Sequence, residues 1–358
     1  MRQDEGGQSM AATRFAIVLS VYNGAAYLDA QLESIRGQSA GNWRLYARDD
    51  GSSDESGRRL REFALRDPRI EVIASEGRNL GPAASFAALL QHALDRGERY
   101  VFLSDQDDVW LPDKCAHMLA LMLEREANLG RDVPLLVHSD LCVVDQDLSR
   151  IHPSFLSLQG IDAGDKRRAV RLLLGNSVTG CASLVNAPLL RCALPMPEVA
   201  MHDWWLAQCA GAFGDVAFLD SSTVLYRQHG KNVVGARGLL ARATASLRTP
   251  RAWWLASARR FLQGLHQIWV LRSRARLRGL AVSPEVLRSV DLLSEGLAAS
   301  RALHSRLAAV LRSGALPRAL TMRCLLLARV VLLPLLRARL GDERKGVGPA
   351  GNAREKSA

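Results

Sequence analysis

The sequence lacks what a disulfide framework or a structural zinc site would need. Its six cysteines, at 115, 142, 181, 192, 209 and 324, form no Cys-x-x-Cys pair and no histidine cluster at zinc-ligand spacing, which points to a reducing compartment. It also lacks an apolar run of about 20 residues, the length a helix needs to span a bilayer. Its most apolar stretch, Leu325–Leu336, is flanked by Arg323 and Arg337 and broken by Arg329 and Pro334. No apolar h-region follows Met1, so residues 1–13 read as a polar, disordered leader. There is no internal repeat, no recognisable nucleic-acid motif and no Gly-rich phosphate loop, Gly51-Ser52-Ser53 being too generic for one. Lysine is missing from residues 241–340, which hold 18 Arg against only Glu285, Asp291 and Glu295, so the chain's net charge of +11 belongs to its last third.

What remains is ample for folding: 358 residues, 48% of them apolar, allow one large domain or two smaller ones and exclude a disordered chain. The first two-thirds alternate strand and helix patterns. Phe15–Val21, Trp43–Arg48, Ile70–Ala74 and Tyr100–Leu103 are short apolar runs, separated by a helical pattern on Leu28, Leu32 and Ile35, by a helix after Asp54, and by a helix over Pro82–Leu94. That alternation implies βαβ units and a mainly parallel sheet. Beyond Leu135 the pattern is less regular, with strands expected at Leu135–Val144, Val178–Leu184 and Thr223–Tyr226 and helices at Arg167–Leu174 and Asp203–Phe213.

Chemistry-bearing residues cluster just after the strands. Asp105-Gln106-Asp107-Asp108 places three carboxylates within four residues behind a buried strand, and Asp49-Asp50 ends an earlier one. Such acids repel unless water, a basic side chain or a divalent cation offsets them. Each group alone also reads as a helix-capping turn, with Ser52–Asp54 capping the helix that follows. Two neighbouring strand ends presenting acids at one sheet edge favour a site.

Taken in order, Ser20-Val21-Tyr22-Asn23-Gly24, Asp49-Asp50-Gly51-Ser52-Ser53-Asp54, Asn79-Leu80-Gly81 and Asp105–Lys114 resemble the motif series of family 2 glycosyltransferases of the GT-A fold. His138-Ser139-Asp140, Val178-Thr179-Gly180-Cys181, His202-Asp203-Trp204-Trp205 and Tyr226-Arg227-Gln228-His229-Gly230 are similar to its bacterial rhamnosyltransferase branch. The resemblance implies an α/β, Rossmann-like GT-A domain over residues 14–236, an Arg-rich helical region over 237–340 and a disordered tail over 341–358. It implies an inverting, metal-dependent transfer of a sugar, L-rhamnose from dTDP-L-rhamnose, to a glycan or lipid-linked glycan. A UDP-hexose donor and a non-catalytic membrane or nucleic-acid binder on a GT-A scaffold are the alternatives.

By the same resemblance Asp50 accepts the N3–H of a uracil or thymine ring, Tyr22 lies against the base, Asp105 lies near the ribose, and Asp107 holds Mg²⁺ or Mn²⁺. Strand-end packing is an equal reading of Tyr22. His229 is a further metal or phosphate contact or a hydrogen-bonded structural residue, and Asp203 is the general base, preceded by His202 where the family commonly has Glu. Trp204 and Trp205 stack on a sugar or fill the core.

The basic third offers a membrane reading. Trp254, Ala258, Phe261, Leu265, Ile268 and Trp269 form an apolar stripe at helical spacing, with Arg251, Arg259 and Arg260 off it. The stripe is expected to lie on the anionic cytoplasmic face of the membrane, with a solvated helical bundle or packing on the core as alternatives; no nucleic-acid partner is expected, and a chain ending near Gly238 is expected to keep its nucleotide affinity.

Overall fold

The computed structural model describes residues 13–75, 77–162, 168–229, 250–297, 301–316 and 320–334. Strands β1 (Phe15–Val21), β2 (Trp43–Asp49), β3 (Ile70–Val72) and β4 (Tyr100–Ser104) alternate with helices α1 (Ala25–Arg36), α2 (Ser56–Arg66) and α3 (Pro82–Asp95). These strands pair in parallel in the order β3-β2-β1-β4, as the alternation predicts. Then come β5 (Val109–Trp110), α4 (Lys114–Leu129), β6 (Leu135–Val144), β7 (Arg150–His152), α5 (Phe155–Gln159) and α6 (Arg168–Arg171). A 3-10 turn at Gly180–Ala182 leads into β8 (Ser183–Asn186), α7 (Ala187–Ala193), α8 (His202–Phe213) and β9 (Asp215–Arg227).

One nine-stranded sheet contains all the strands, in the order β3-β2-β1-β4-β8-β6-β9-β5 with β7 beside β6. Antiparallel β8 joins the parallel half to the parallel pair β6–β9. The expected strand Val178–Leu184 is thus a turn followed by β8, and the expected Thr223–Tyr226 is the end of the much longer β9.

Alternate side chains of the central strands enter opposite layers, as a period of two requires. Ala16, Val18, Val101 and Leu103 pack with α3, α7 and α8, whereas Phe15, Ile17, Leu19, Tyr100 and Phe102 pack with α1, α2 and α4. Each layer is one continuous apolar cluster.

Four helices complete the first layer: α9 (Pro250–Arg278), α10 (Pro284–Gly296), α11 (Leu303–Arg312) and α12 (Leu320–Val331). Phe261, Ile268, Leu271, Val286, Val290, Leu293, Val310 and Leu326 share one apolar cluster with Trp205 and Leu206 of α8. This corrects the membrane reading of the stripe: Ala258, Phe261 and Ile268 face the sheet's own helices, and of the described side chains only Trp269 points outward, 60% exposed. The side chain of Trp254 lies outside the described residues. Several arginines also have structural roles. Arg274 donates to the carbonyls of Cys192 (3.0 Å) and Pro195 (2.7 Å), and Arg278 to those of Arg191 (2.7 Å) and Leu194 (2.9 Å), closing the carbonyl end of α7. Among the described residues no helix is long and apolar enough to cross a membrane.

Candidate active site

Strands β1, β2 and β4 end at one edge, with Val21 opposite Asp49 and Leu19 opposite Ser104, so the segments that follow them converge. The Ser52–Asp54 stretch, assigned by sequence to capping α2, mostly serves the neighbouring loop. Ser52 Oγ accepts the Asn23 N–H (3.0 Å) and Asp54 Oδ2 accepts the Ala25 N–H (3.1 Å), while Asn23 Oδ1 accepts the Ser53 N–H (2.8 Å). Gln106 ties β1 to β4: its amide accepts the Tyr22 N–H and donates to the Tyr22 carbonyl (2.9 Å). Gly24 permits this approach, since a Cβ there would lie 2.5 Å from Gln106 Cδ. The Tyr22 ring stands 49% exposed at the rim.

Asp50 lies deeper and is 2% exposed. Its carboxylate is ion-paired with buried Arg48 and accepts the N–H groups of Leu80 and Gly81, each at 2.9 Å. Arg48 also donates to Ser85 Oγ (3.1 Å), which shares a hydrogen bond with Ser20 Oγ (2.7 Å). Asp50 therefore holds the Asn79–Gly81 turn in place, and of a carboxylate's roughly four acceptor positions one remains.

The acids after β4 point in different directions. Asp107 Oδ2 accepts a hydrogen bond from His229 Nε2 at 2.8 Å, bringing together two residues 122 positions apart. The His229 ring stacks on Tyr27 with centroids 4.7 Å apart, and the Arg227 guanidinium lies 4.8 Å from the same ring. Asp108 is fully buried; its Oδ1 accepts the Arg227 N–H (3.1 Å), and its Oδ2 has no hydrogen-bond partner. A carboxylate oxygen of Asp108, one of Asp105 and the Cys181 sulfur lie within 4.8 Å of one another. Burial, with the charges of Asp107 and Asp203 added, raises Asp105 to about 7. Burial likewise carries Asp108 well above the usual carboxylate range. The buried cation beside them is Lys114, which donates to the Cys181 carbonyl (2.5 Å), lies 4.3 Å from the Trp110 ring centroid, and is lowered by burial to about 8.

Asp203 opens α8 from the other half of the fold. Its Oδ1 accepts from Asn176 Nδ2 (3.1 Å) and from the Trp204 N–H (2.6 Å), and its Oδ2 accepts the Gly180 N–H (3.1 Å). Burial raises it to about 6 against the opposing pull of those donors. Its charge acts on Asp105. The His202 ring stacks on Phe86 at 3.9 Å, both its nitrogens lack hydrogen-bond partners, and burial lowers it to about 3, leaving it neutral. Trp204 and Trp205 both belong to the core, their indole N–H groups bonded to the carbonyls of Leu172 (2.5 Å) and Ala193 (2.9 Å).

The structure thus brings Asp107 to His229 and Tyr22 to Gln106 after the strand ends, and couples Asp203 electrostatically to Asp105, while Asp50 holds the Asn79–Gly81 turn. Arg48, Gln106, Lys114 and Cys181 join them without a separate signal in the sequence, because each acts through a contact that depends on the fold.

The chain is similar to known proteins in sequence and in fold. The family model described as glycosyl transferase family 2 matches residues 16–131. A dTDP-rhamnosyl transferase, RfbG of Shigella flexneri, is 23% identical over 228 residues, covering 61% of this chain and 74% of that protein. A UDP-Glc:alpha-D-GlcNAc-diphosphoundecaprenol beta-1,3-glucosyltransferase, WfgD of Escherichia coli, is 24% identical over 191 residues, covering 53% of this chain and 67% of that protein. In fold the chain is similar to residues 1–349 of S. aureus TarS in complex with UDP-GlcNAc, with a TM-score of 0.51 at 15% identity, over 93% of this chain and 92% of that one.

Proposed function

We propose that this chain, whose residues 16–131 match the family model described as glycosyl transferase family 2, moves L-rhamnose from dTDP-L-rhamnose to a glycan or lipid-linked glycan by inverting displacement. The observation that carries this reading is Asp203, buried near Asp105 and raised to about 6. A carboxylate of that pKa is ionised at neutral pH and still basic enough to take a hydroxyl proton. The acceptor oxygen attacks the sugar's anomeric carbon, its proton passes to Asp203, and the bond to phosphate breaks with the electron pair leaving on the nucleoside diphosphate. Asn176 and the N–H groups of Gly180 and Trp204 keep Asp203 aimed during that transfer.

The donor lies across the strand ends, its base beside Tyr22 and the remaining acceptor position of Asp50, its ribose beside Asp105. The residues present fit a hard divalent cation: Asp107 offers a carboxylate oxygen 2.8 Å from His229 Nε2, and neighbouring Asp108 keeps a buried oxygen without a partner. Asp107 and His229 would hold Mg²⁺ or Mn²⁺, which would supply positive charge for the diphosphate. Asp108 and Lys114 support that site from below.

The rhamnose donor is supported by the Shigella relative's name, and a lipid-linked acceptor by the E. coli relative's name. The latter also supports the second reading, a UDP-hexose donor. Incubation of the full chain with dTDP-L-rhamnose, UDP-glucose and UDP-GlcNAc, with Mn²⁺ and release of nucleoside diphosphate as readout, separates them. Fastest release from dTDP-L-rhamnose is expected. Faster release from a UDP-hexose would replace the donor, and neither binding nor release from any donor would favour a non-catalytic scaffold.

A further inference from the structure

We propose that the outward face of α9 docks on an anionic lipid bilayer. The inward face of this helix is occupied, since Phe261, Ile268, Leu271 and Ala275 are buried against the transferase core. The opposite face carries Arg259, His266, Trp269, Arg276 and Leu277, all exposed and recurring at helical spacing. Trp269 is 60% and Leu277 86% exposed, and the His266 ring stacks near Trp269 with centroids 6.4 Å apart. Arginine and large apolar side chains thus alternate on one surface, and the 29 residues of α9 include no acid.

That combination selects the partner. A bilayer interface takes Trp and Leu into its headgroup and acyl boundary while arginines meet lipid phosphates. A nucleic acid would use the arginines but leave Leu277 in water, and a second copy would bring the same positive charges face to face. The face shares only Trp269 with the stripe that sequence periodicity singles out, whose Ala258, Phe261 and Ile268 the core covers. It is also independent of the donor, because none of its residues touches the site.

Co-sedimentation of the full chain with phosphatidylcholine vesicles, with and without phosphatidylglycerol, tests the proposal. Binding is expected to require phosphatidylglycerol and to fall roughly tenfold on Arg276→Glu, which reverses one charge at the surface. Joint replacement Trp269→Ala and Leu277→Ala is expected to remove most of the binding that survives high salt, where charge is screened. Both sites are exposed, so the melting temperature and donor turnover with a soluble acceptor stay as in the wild type. The proposal is overturned by absence of vesicle binding, by equal binding of all variants, by stronger binding to duplex DNA than to vesicles, or by self-association through this face.

Discussion

Asp107 and His229 meet at 2.8 Å although 122 residues separate them, and the proposed cation site stands on that contact. Asp107→Asn should leave the fold intact and lower Mn²⁺-dependent affinity for dTDP at least tenfold; calorimetry showing unchanged affinity would remove Asp107 from the site. The pH response follows from Asp203. A base held at about 6 must be ionised to work, so the transfer rate should fall about tenfold per pH unit below 6 and level off above it, as rate measurements at saturating donor would show. Gly24→Ala places a methyl group against Gln106 and displaces its side chain from its two exposed bonds to Tyr22, a loss of roughly 0.5–1.5 kcal/mol of stability. Thermal unfolding would measure that loss, and donor affinity should weaken with it. At this scale the sequence marked Asp50, Asp105, Asp107 and Asp203 as candidates because a motif carries each of them. It placed Gln106, Lys114 and Cys181 within motifs but gave them no role, and it did not mark Arg48, because their contacts arise from the fold.

The elements that position Asp203 form a stack. Helix α8 is buried on nearly every side between the sheet and α9, and Gln267 of α9 donates to Gln208 of α8 at 2.9 Å while accepting the Ala200 N–H at 3.0 Å. The closest approach is at Gly264, where a Cβ would lie 2.5 Å from Trp204 Cη2. Trp204 follows Asp203 directly and has no flexible end to move aside. Gly264→Val should therefore cost roughly 1–3 kcal/mol in stability, and it should lower the transfer rate more than donor affinity. A rate unchanged at full occupancy would show that α9 does not position the base. The parallel half of the sheet was legible because each of its strands is a short apolar run beside a periodic helix. The other half was not: β8 and β9 owe their limits to pairing with β6, whose register against β9 shifts around Asp140. Helical periodicity identified the apolar stripe on α9, yet periodicity cannot say whether protein or lipid covers such a face.

In the whole molecule the C-terminal helices complete the core rather than append to it. Phe261, Ile268, Leu271, Val286, Val290 and Leu293 are buried, and each contributes about 1.5–3 kcal/mol by leaving water. Their sum rivals the roughly 5–15 kcal/mol that holds a domain together. A chain ending near Gly238 should thus be insoluble or unfolded by circular dichroism, contrary to the expectation from motif position alone that it would keep nucleotide affinity. In the proposed mechanism the parallel half would hold the donor, and α8, packed against the C-terminal helices, would present Asp203 as the base. The measurement that tests this most directly compares the wild type and Asp203→Asn for both dTDP-L-rhamnose affinity and single-turnover transfer rate. The account predicts affinity within about twofold of the wild type and a rate lower by roughly 10²–10⁴. Equal rates, or an affinity that falls in step with the rate, would contradict it.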